Sequence, residues 1–242
     1  MWSTKTDENH LSQKFILSES ERRAYREQNP IPSTPLLPEP KCDDGSKLLL
    51  VLDLDETLIH GSYTLPPKYD FSFKLELPKS KKVRTVYVQA RPFLADFLDV
   101  ASQWYEVVVY TASLAIYADN ILDRIDPNGH IKHRLYRHHC AMFRDYYVKD
   151  LDFLGRPLNK TLLVDNHPAS YMAHRDNGVP VYSYFGQPDD TGLKDLIVFL
   201  DELRTEEDIL PKIRKYAARW RRKLKDFAET AWESSKCSTT VT

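Results

Sequence analysis

The chain has 242 residues, with 34 Lys and Arg against 35 Asp and Glu and a formal net charge of -1. That balance points to no polyanionic partner, so direct nucleic-acid binding is not expected, while 42% hydrophobic content suffices for one sizeable core. The longest purely aliphatic run is five residues and the N-terminus has no apolar core, so neither a signal peptide nor a membrane span is expected, and the location expected is nuclear or cytoplasmic. Cys42, Cys140 and Cys237 lie far apart with no C-x-x-C pair, which fits reduced thiols and offers no zinc-site spacing.

Three regions are expected: a flexible N-terminal segment over 1–45, a catalytic domain over 46–210, and a basic amphipathic helix with a tail over 211–242. In the first, Ser18 to Gln28 has the pattern of a short charged helix. Pro30, Pro32, Pro35, Pro38 and Pro40 then favour extended polyproline II backbone, a linker or a strap along the domain surface. Next, Leu48 to Leu52 predicts a strand buried on both faces of a parallel sheet, and it stops at Asp53 and Asp55. Two such acids suit a turn or a helix cap as readily as a site, but Thr57 and the pattern downstream favour a site.

Phe71 to Leu77 alternates apolar and polar, Lys79 to Lys82 makes a turn, and Val83 to Val88 resumes, which predicts an inserted hairpin flap. Pro92 suits a helix first turn, with Phe93, Phe97, Leu98 and Ala101 at helical spacing. Tyr105 to Tyr110 reads as a second buried strand ending in Thr111 and Ser113, followed by a helix over Leu114 to Ile125. Residues 127–158 are expected to be irregular. Thr161 to Val164 reads as a third buried strand ending in Asp165 and Asn166, and Val179 to Tyr182 as a short fourth near an edge, since proline removes a ladder donor. The order predicts an α/β doubly wound parallel sheet with an inserted hairpin and no large cap domain.

In a parallel sheet the three strand ends share one edge, where ligands bind. Asp53 there can attack phosphorus and form an acyl-phosphate, and Asp55 can protonate the leaving oxygen and later activate water. Such chemistry needs a hard cation; Asp53, a backbone carbonyl and Asn166 supply the oxygens that Mg2+ prefers. Thr111 and Lys149 would neutralise phosphoryl charge.

The motifs D-L-D-E-T, T-A-S, Y-V-K-D-L and D-N-x-P-A-S-Y together resemble the haloacid-dehalogenase superfamily and, within it, the phosphatases of the RNA polymerase II C-terminal domain. The resemblance implies that Asp53 is the nucleophile, Asp55 the general acid/base and a metal ligand through its carbonyl, and Thr111 and Lys149 the phosphate binders. It also implies Asn166 as a side-chain metal ligand supported by Asp165, and Thr57, Ser113 and Arg137 at the substrate. Ser102 to Glu106 and Tyr136 to Cys140 are similar to the Dullard-type phosphatases that act on lipin. Ala90-Arg91-Pro92 and His167 depart from the family's usual Lys-Arg-Pro and serine.

Cysteine-phosphatase chemistry is excluded because Cys140 and Arg144 give C-x3-R, and the scatter of His130, His133, His138, His139 and His174 fits packing histidines better than zinc. Lys212 to Lys225 holds eight Lys or Arg and no acid, with Ile213, Tyr216, Ala217, Trp220 and Leu224 on one helical face. Such a helix is expected to dock on a regulatory partner, an anionic membrane or RNA, or to pack back on the domain. The function expected is a magnesium-dependent serine/threonine phosphatase acting on a phosphoprotein, the polymerase C-terminal domain or a lipin-like protein. The alternatives are a non-catalytic phosphopeptide-binding module or a phosphatase of small esters.

Overall fold

The computed structural model describes residues 15–40, 47–76 and 82–222. Its framework is a five-stranded sheet whose strands all run parallel. Strand β1 (Leu48–Leu52) lies at the centre, between β5 (Tyr105–Tyr110) and β9 (Thr161–Asp165); β6 (His133–Leu135) and β10 (Gly178–Pro180) form the edges. Every residue of β1, β5 and β9 is buried, as their unbroken aliphatic runs predict. Leu52 is level with Val109 on one side and Val164 on the other, so the three chains leave the sheet side by side.

Successive strand residues point to opposite faces and divide the core in two. Leu48, Leu50 and Leu52 pack in a cluster with Phe97 and Leu98 of α2 (Leu94–Trp104), Ile121 and Leu122 of α3 (Ala115–Ile125), and Leu196 and Leu200 of α4 (Gly192–Leu203). Leu49 and Val51 face a second cluster closed by short 3-10 turns at Leu151–Leu154 and Pro168–Asn177 and by Leu37 of the N-terminal segment. Phe93, expected on the buried face of α2, is instead 44% exposed at a φ of 67°, because the helix starts one residue later.

The insertion differs from a two-stranded hairpin. It is a three-stranded antiparallel sheet in which β4 (Val83–Ala90) lies between β3 (Phe71–Glu76) and β2 (Ile59–Ser62). I-H-G-S shows no alternation, so nothing in its pattern marks β2. Most of the turn expected at Lys79 to Lys82 lies outside the described residues. Residues 127–158 are more ordered than expected: they hold β6 and a hairpin of β7 (Ala141–Phe143) and β8 (Tyr146–Val148). Strands of three residues are too short to display a period.

Residues 15–40, expected to be flexible, lie against the catalytic domain. Helix α1 (Glu19–Gln28) starts at a Ser18 capping box with Glu21, and Tyr25 is buried with Phe143 and Val148. At the other end, residues 210–222 form a helix, α5, that packs back on the domain: Ile209, Ile213 and Ala217 are buried, and Tyr216 stacks on Phe199 at 4.2 Å. Its outer face is charged, with Arg214 paired to Asp176 at 2.9 Å. Leu224, Lys225, Cys42 and Cys237 lie outside the described residues. Among the described residues no helix is long and apolar enough to cross a membrane.

The docking of α5 is a matter of burial, so Ile213→Ala should destabilise the protein by about 2–5 kcal/mol in a denaturant titration. Val198→Ala, at a side chain 62% exposed, should stay within about 0.5 kcal/mol of the parent. Equal effects would mean that α5 is not part of the folded core.

Candidate active site

Asp53 leaves β1 with its amide donating to Val164 O at 3.0 Å, which continues the ladder one residue beyond the strand. The chain then turns tightly: Leu58 N and Ile59 N both donate to Leu54 O, and Glu56 takes a left-handed φ of 58°. Bonds from Glu56 N to Ile59 O and from Tyr184 N to Glu56 O hold that conformation. The turn buries Leu54 and Leu58 and returns the Thr57 hydroxyl to Asp53 Oδ2 at 3.0 Å.

Lys149, one residue past β8, is buried and places its ammonium between two carboxylates. Nζ lies 2.5 Å from Asp53 Oδ1 and 2.5 Å from Asp165 Oδ2. Burial alone would discharge the lysine, but Asp165 and Asp53 outweigh it and hold its pKa above the ordinary value. Burial, then Asp165, push Asp53 up to about 7, against the pull of Lys149. One buried cation therefore faces two buried acids, a local deficit of positive charge.

Asp55 is fixed separately. Ser113 Oγ donates to its Oδ2 and Tyr117 OH to its Oδ1, each at 2.6 Å. Burial and then Asp55 raise the Tyr117 pKa far above the usual value, so this phenol stays a donor. Gly61 of β2 makes room for it, since a Cβ there would meet the Tyr117 hydroxyl oxygen at 2.2 Å.

The structure brings Asp53, Asp55, Thr57, Thr111, Ser113, Lys149, Asp165 and Asn166 to one sheet edge, but not all in the places expected. Thr57 is fully buried and serves Asp53, so it orients that carboxylate and is not exposed to a substrate. Asp165, which the resemblance put among the metal ligands, accepts from Lys149 and from the His167 amide at 2.7 Å and so anchors Lys149. Thr111 Oγ1 accepts from Ser113 N at 3.0 Å, which shapes the T-A-S turn. Arg137 stands exposed at the rim, with Nε donating to Ala112 O at 2.5 Å and its guanidinium 5.0 Å from the Tyr147 ring. The His167 ring lies against Phe15 and Tyr146, and burial lowers its pKa.

Two of the oxygens expected for magnesium, those of Asp53 and Asn166, lie around a single hydroxyl. Asn166 Nδ2 is held by Ser183 Oγ at 2.9 Å, which turns Oδ1 toward the Thr57 hydroxyl at 3.4 Å, the same hydroxyl that serves Asp53. A carboxylate and an amide oxygen aimed at one point, beside an unbalanced negative charge, suit a hard divalent cation. Tyr117 and Ser183 carry no motif of their own in the sequence. Arg91 entered the sequence reading only as a member of Ala90-Arg91-Pro92, where Ala90 replaces the family's lysine; it is buried and braces the site by donating to Thr57 O, Tyr182 O and Asp190.

A central parallel sheet with this edge and a small β insertion defines a haloacid-dehalogenase-like fold. The solved structure of Fcp1, an essential RNA polymerase II CTD phosphatase, superposes with a TM-score of 0.51 at 20% identity, covering 78% of this chain and 64% of that one, a little under two thirds. The chain belongs to the NLI interacting factor-like phosphatase family, whose model matches residues 48–210. Homo sapiens carboxy-terminal domain RNA polymerase II polypeptide A small phosphatase 1 is 42% identical over 195 residues, 81% of this chain and 73% of that protein. Small phosphatase 2 from Homo sapiens is 39% identical over 214 residues, 88% and 77% of the two chains. The enzyme class is accordingly phosphoprotein phosphatase.

Because the folded pKa of Asp53 lies above the unfolded one, its contribution to stability is full below about 3.8 and is lost as pH rises through about 7. In chelator-treated buffer, Asp53→Asn should therefore gain in melting temperature relative to the parent as pH rises over that window. Parallel melting curves would refute the electrostatic account of the pocket.

Proposed function

We propose that this chain is a magnesium-dependent phosphoserine/phosphothreonine phosphatase acting through an aspartyl-phosphate on Asp53. The observation that carries the reading is the Asp53–Lys149–Asp165 bridge at the strand edge, with Asp55 held two residues away by separate donors. Asp53 Oδ attacks phosphorus, the bond to the serine or threonine oxygen breaks, and that oxygen takes a proton from Asp55. Water then loses a proton to Asp55 as it attacks the acyl-phosphate, releasing inorganic phosphate and restoring Asp53.

Thr57 orients the attacking carboxylate, and Ser113 with Tyr117 keeps Asp55 apart from it. Lys149 and the Thr111 turn oppose charge on the transferring group. Asp53, the Asp55 carbonyl and Asn166 would hold magnesium, which when bound offsets the repulsion between carboxylate and phosphate. Arg137 at the rim is suited to a phosphate or acidic group of the substrate.

The insertion is a small sheet and not a large cap, which favours a protein segment over a small ester. The names of the relatives point to the RNA polymerase II C-terminal domain as the first substrate to test, which also makes the nucleus the favoured compartment.

Hydrolysis of a chromogenic aryl phosphate, measured with magnesium and with chelator, tests the reaction. Turnover should require magnesium, fall to background in Asp53→Asn, and fall about 10²–10⁴-fold in Asp55→Asn. Full activity in chelator, or an active Asp53→Asn protein, would overturn the mechanism. Phosphopeptide binding by a parent with no turnover would favour the binding-module reading instead.

A further inference from the structure

Residues 25–38 run along Asp150 to Arg156, the stretch that follows Lys149. Asp150 is fully buried, and its carboxylate accepts from Tyr25 OH at 2.7 Å, Arg26 Nη1 at 2.9 Å, His174 Nε2 at 2.7 Å and Asp152 N at 3.1 Å. Arg26 Nη2 also reaches Asp152 at 2.6 Å. The ligating atoms of Asp150, Asp152 and His174 lie within 4.8 Å of one another, a grouping able to hold a cation, and the Arg26 guanidinium already supplies that charge.

The contact continues beyond this knot. Leu36 N donates to Phe153 O at 2.7 Å, and Arg156 Nη2 donates to Pro38 O at 2.8 Å. Gly155 sits at a φ of 68°, and a Cβ there would come within 2.6 Å of the Pro35 ring. On β7, the strand that pairs with β8, Tyr25 packs edge-on against Phe143 at 5.5 Å, while Asn29 Nδ2 donates to Met142 O and Asn29 Oδ1 accepts from Met142 N.

A lysine side chain is a flexible four-carbon stem, so two short contacts at Nζ persist only if the main chain at its base is fixed. Strand β8 ends just before Lys149 and, among the described residues, pairs only with the three residues of β7. What secures this base is the bond from Lys149 N to Ser170 O at 2.7 Å together with the buried Asp150.

We propose that Tyr25 and Arg26 are positioning residues of the phosphatase reaction, holding Asp150 and thereby the main chain that presents Lys149. This rests on the reading of Lys149 as the cation of the phosphate site. The N-terminal segment is then a working part of the catalytic domain, although it lies outside the family match at 48–210.

The test uses the full chain with Arg26→Ala, Arg26→Lys and Tyr25→Phe, and Glu27→Ala on the exposed face of α1 as the control. All are assayed with an aryl phosphate and saturating magnesium, at a temperature where circular dichroism shows each to be folded. Arg26→Ala should lower kcat about tenfold with KM within about twofold, Arg26→Lys should recover most of the loss, and Glu27→Ala should match the parent. Tyr25→Phe should lower kcat in the same sense. Hydrogen exchange at 149–154 should quicken in Arg26→Ala while β1 is unchanged.

Parent-like kcat in both Arg26→Ala and Tyr25→Phe would overturn the proposal, even if their melting temperatures fell. A parent without magnesium-dependent turnover would fail the phosphatase reading separately; exchange at 149–154 would then decide, and unchanged exchange in Arg26→Ala would overturn the positioning role.

Discussion

The site depends on one buried arrangement, an ammonium group held between two carboxylates. Lys149 cannot be buried uncharged beside Asp53 and Asp165 without leaving two acids in mutual repulsion, and neither acid can lose Lys149 without becoming an unpaired buried charge. The three residues come from three places in the chain: the end of β1, the end of β8 and the end of β9. Their meeting therefore requires the sheet order that sets β9 beside β1, and the sheet order in turn requires the unbroken aliphatic strands. Packing of this kind stabilises the fold only weakly in itself, but it specifies one geometry.

The imbalance at this point gives the site its chemistry. Two acids against one base leave a carboxylate that is buried, aimed by Thr57 and short of positive charge. Asp55 stays outside this arrangement because Ser113 and Tyr117 hold it on the side of α3 and the insertion. Two aspartates two residues apart thus acquire different environments, one buried among charges and one held by neutral hydroxyls. Different environments suit the two acids to different roles.

Much of this was legible in the sequence because the signals were strong and local. Aliphatic runs ending in polar residues marked β1, β5 and β9, and short motifs marked Asp53, Asp55, Lys149 and Asn166 as candidate site residues. The remainder was illegible for physical reasons. Strands β2, β6, β7 and β8 are three or four residues long and exist because neighbours pair with them, not because their own residues favour extension. The roles of Thr57, Asp165 and Tyr117 are set by where hydroxyls and carboxylates point, a property of tertiary structure. The proline-rich segment has the composition of a linker or strap, and that Leu37 finds a buried seat beside Leu151 and Leu154 is set by residues more than a hundred positions away.

The edges of the central sheet bear on how such a chain survives in a crowded solution. At one side β10 is three residues long and ends in Pro180, which has no amide proton to offer; at the other, β6 is three residues long and carries Arg134, tied to Asp119 and Asp123. Neither presents a long row of free backbone groups on which another molecule could add a strand. The aliphatic β-rich strands that build the site, which would be adhesive if exposed, lie in the middle of the sheet. The same strand order that gathers the site thus also leaves the central sheet with short, interrupted edges.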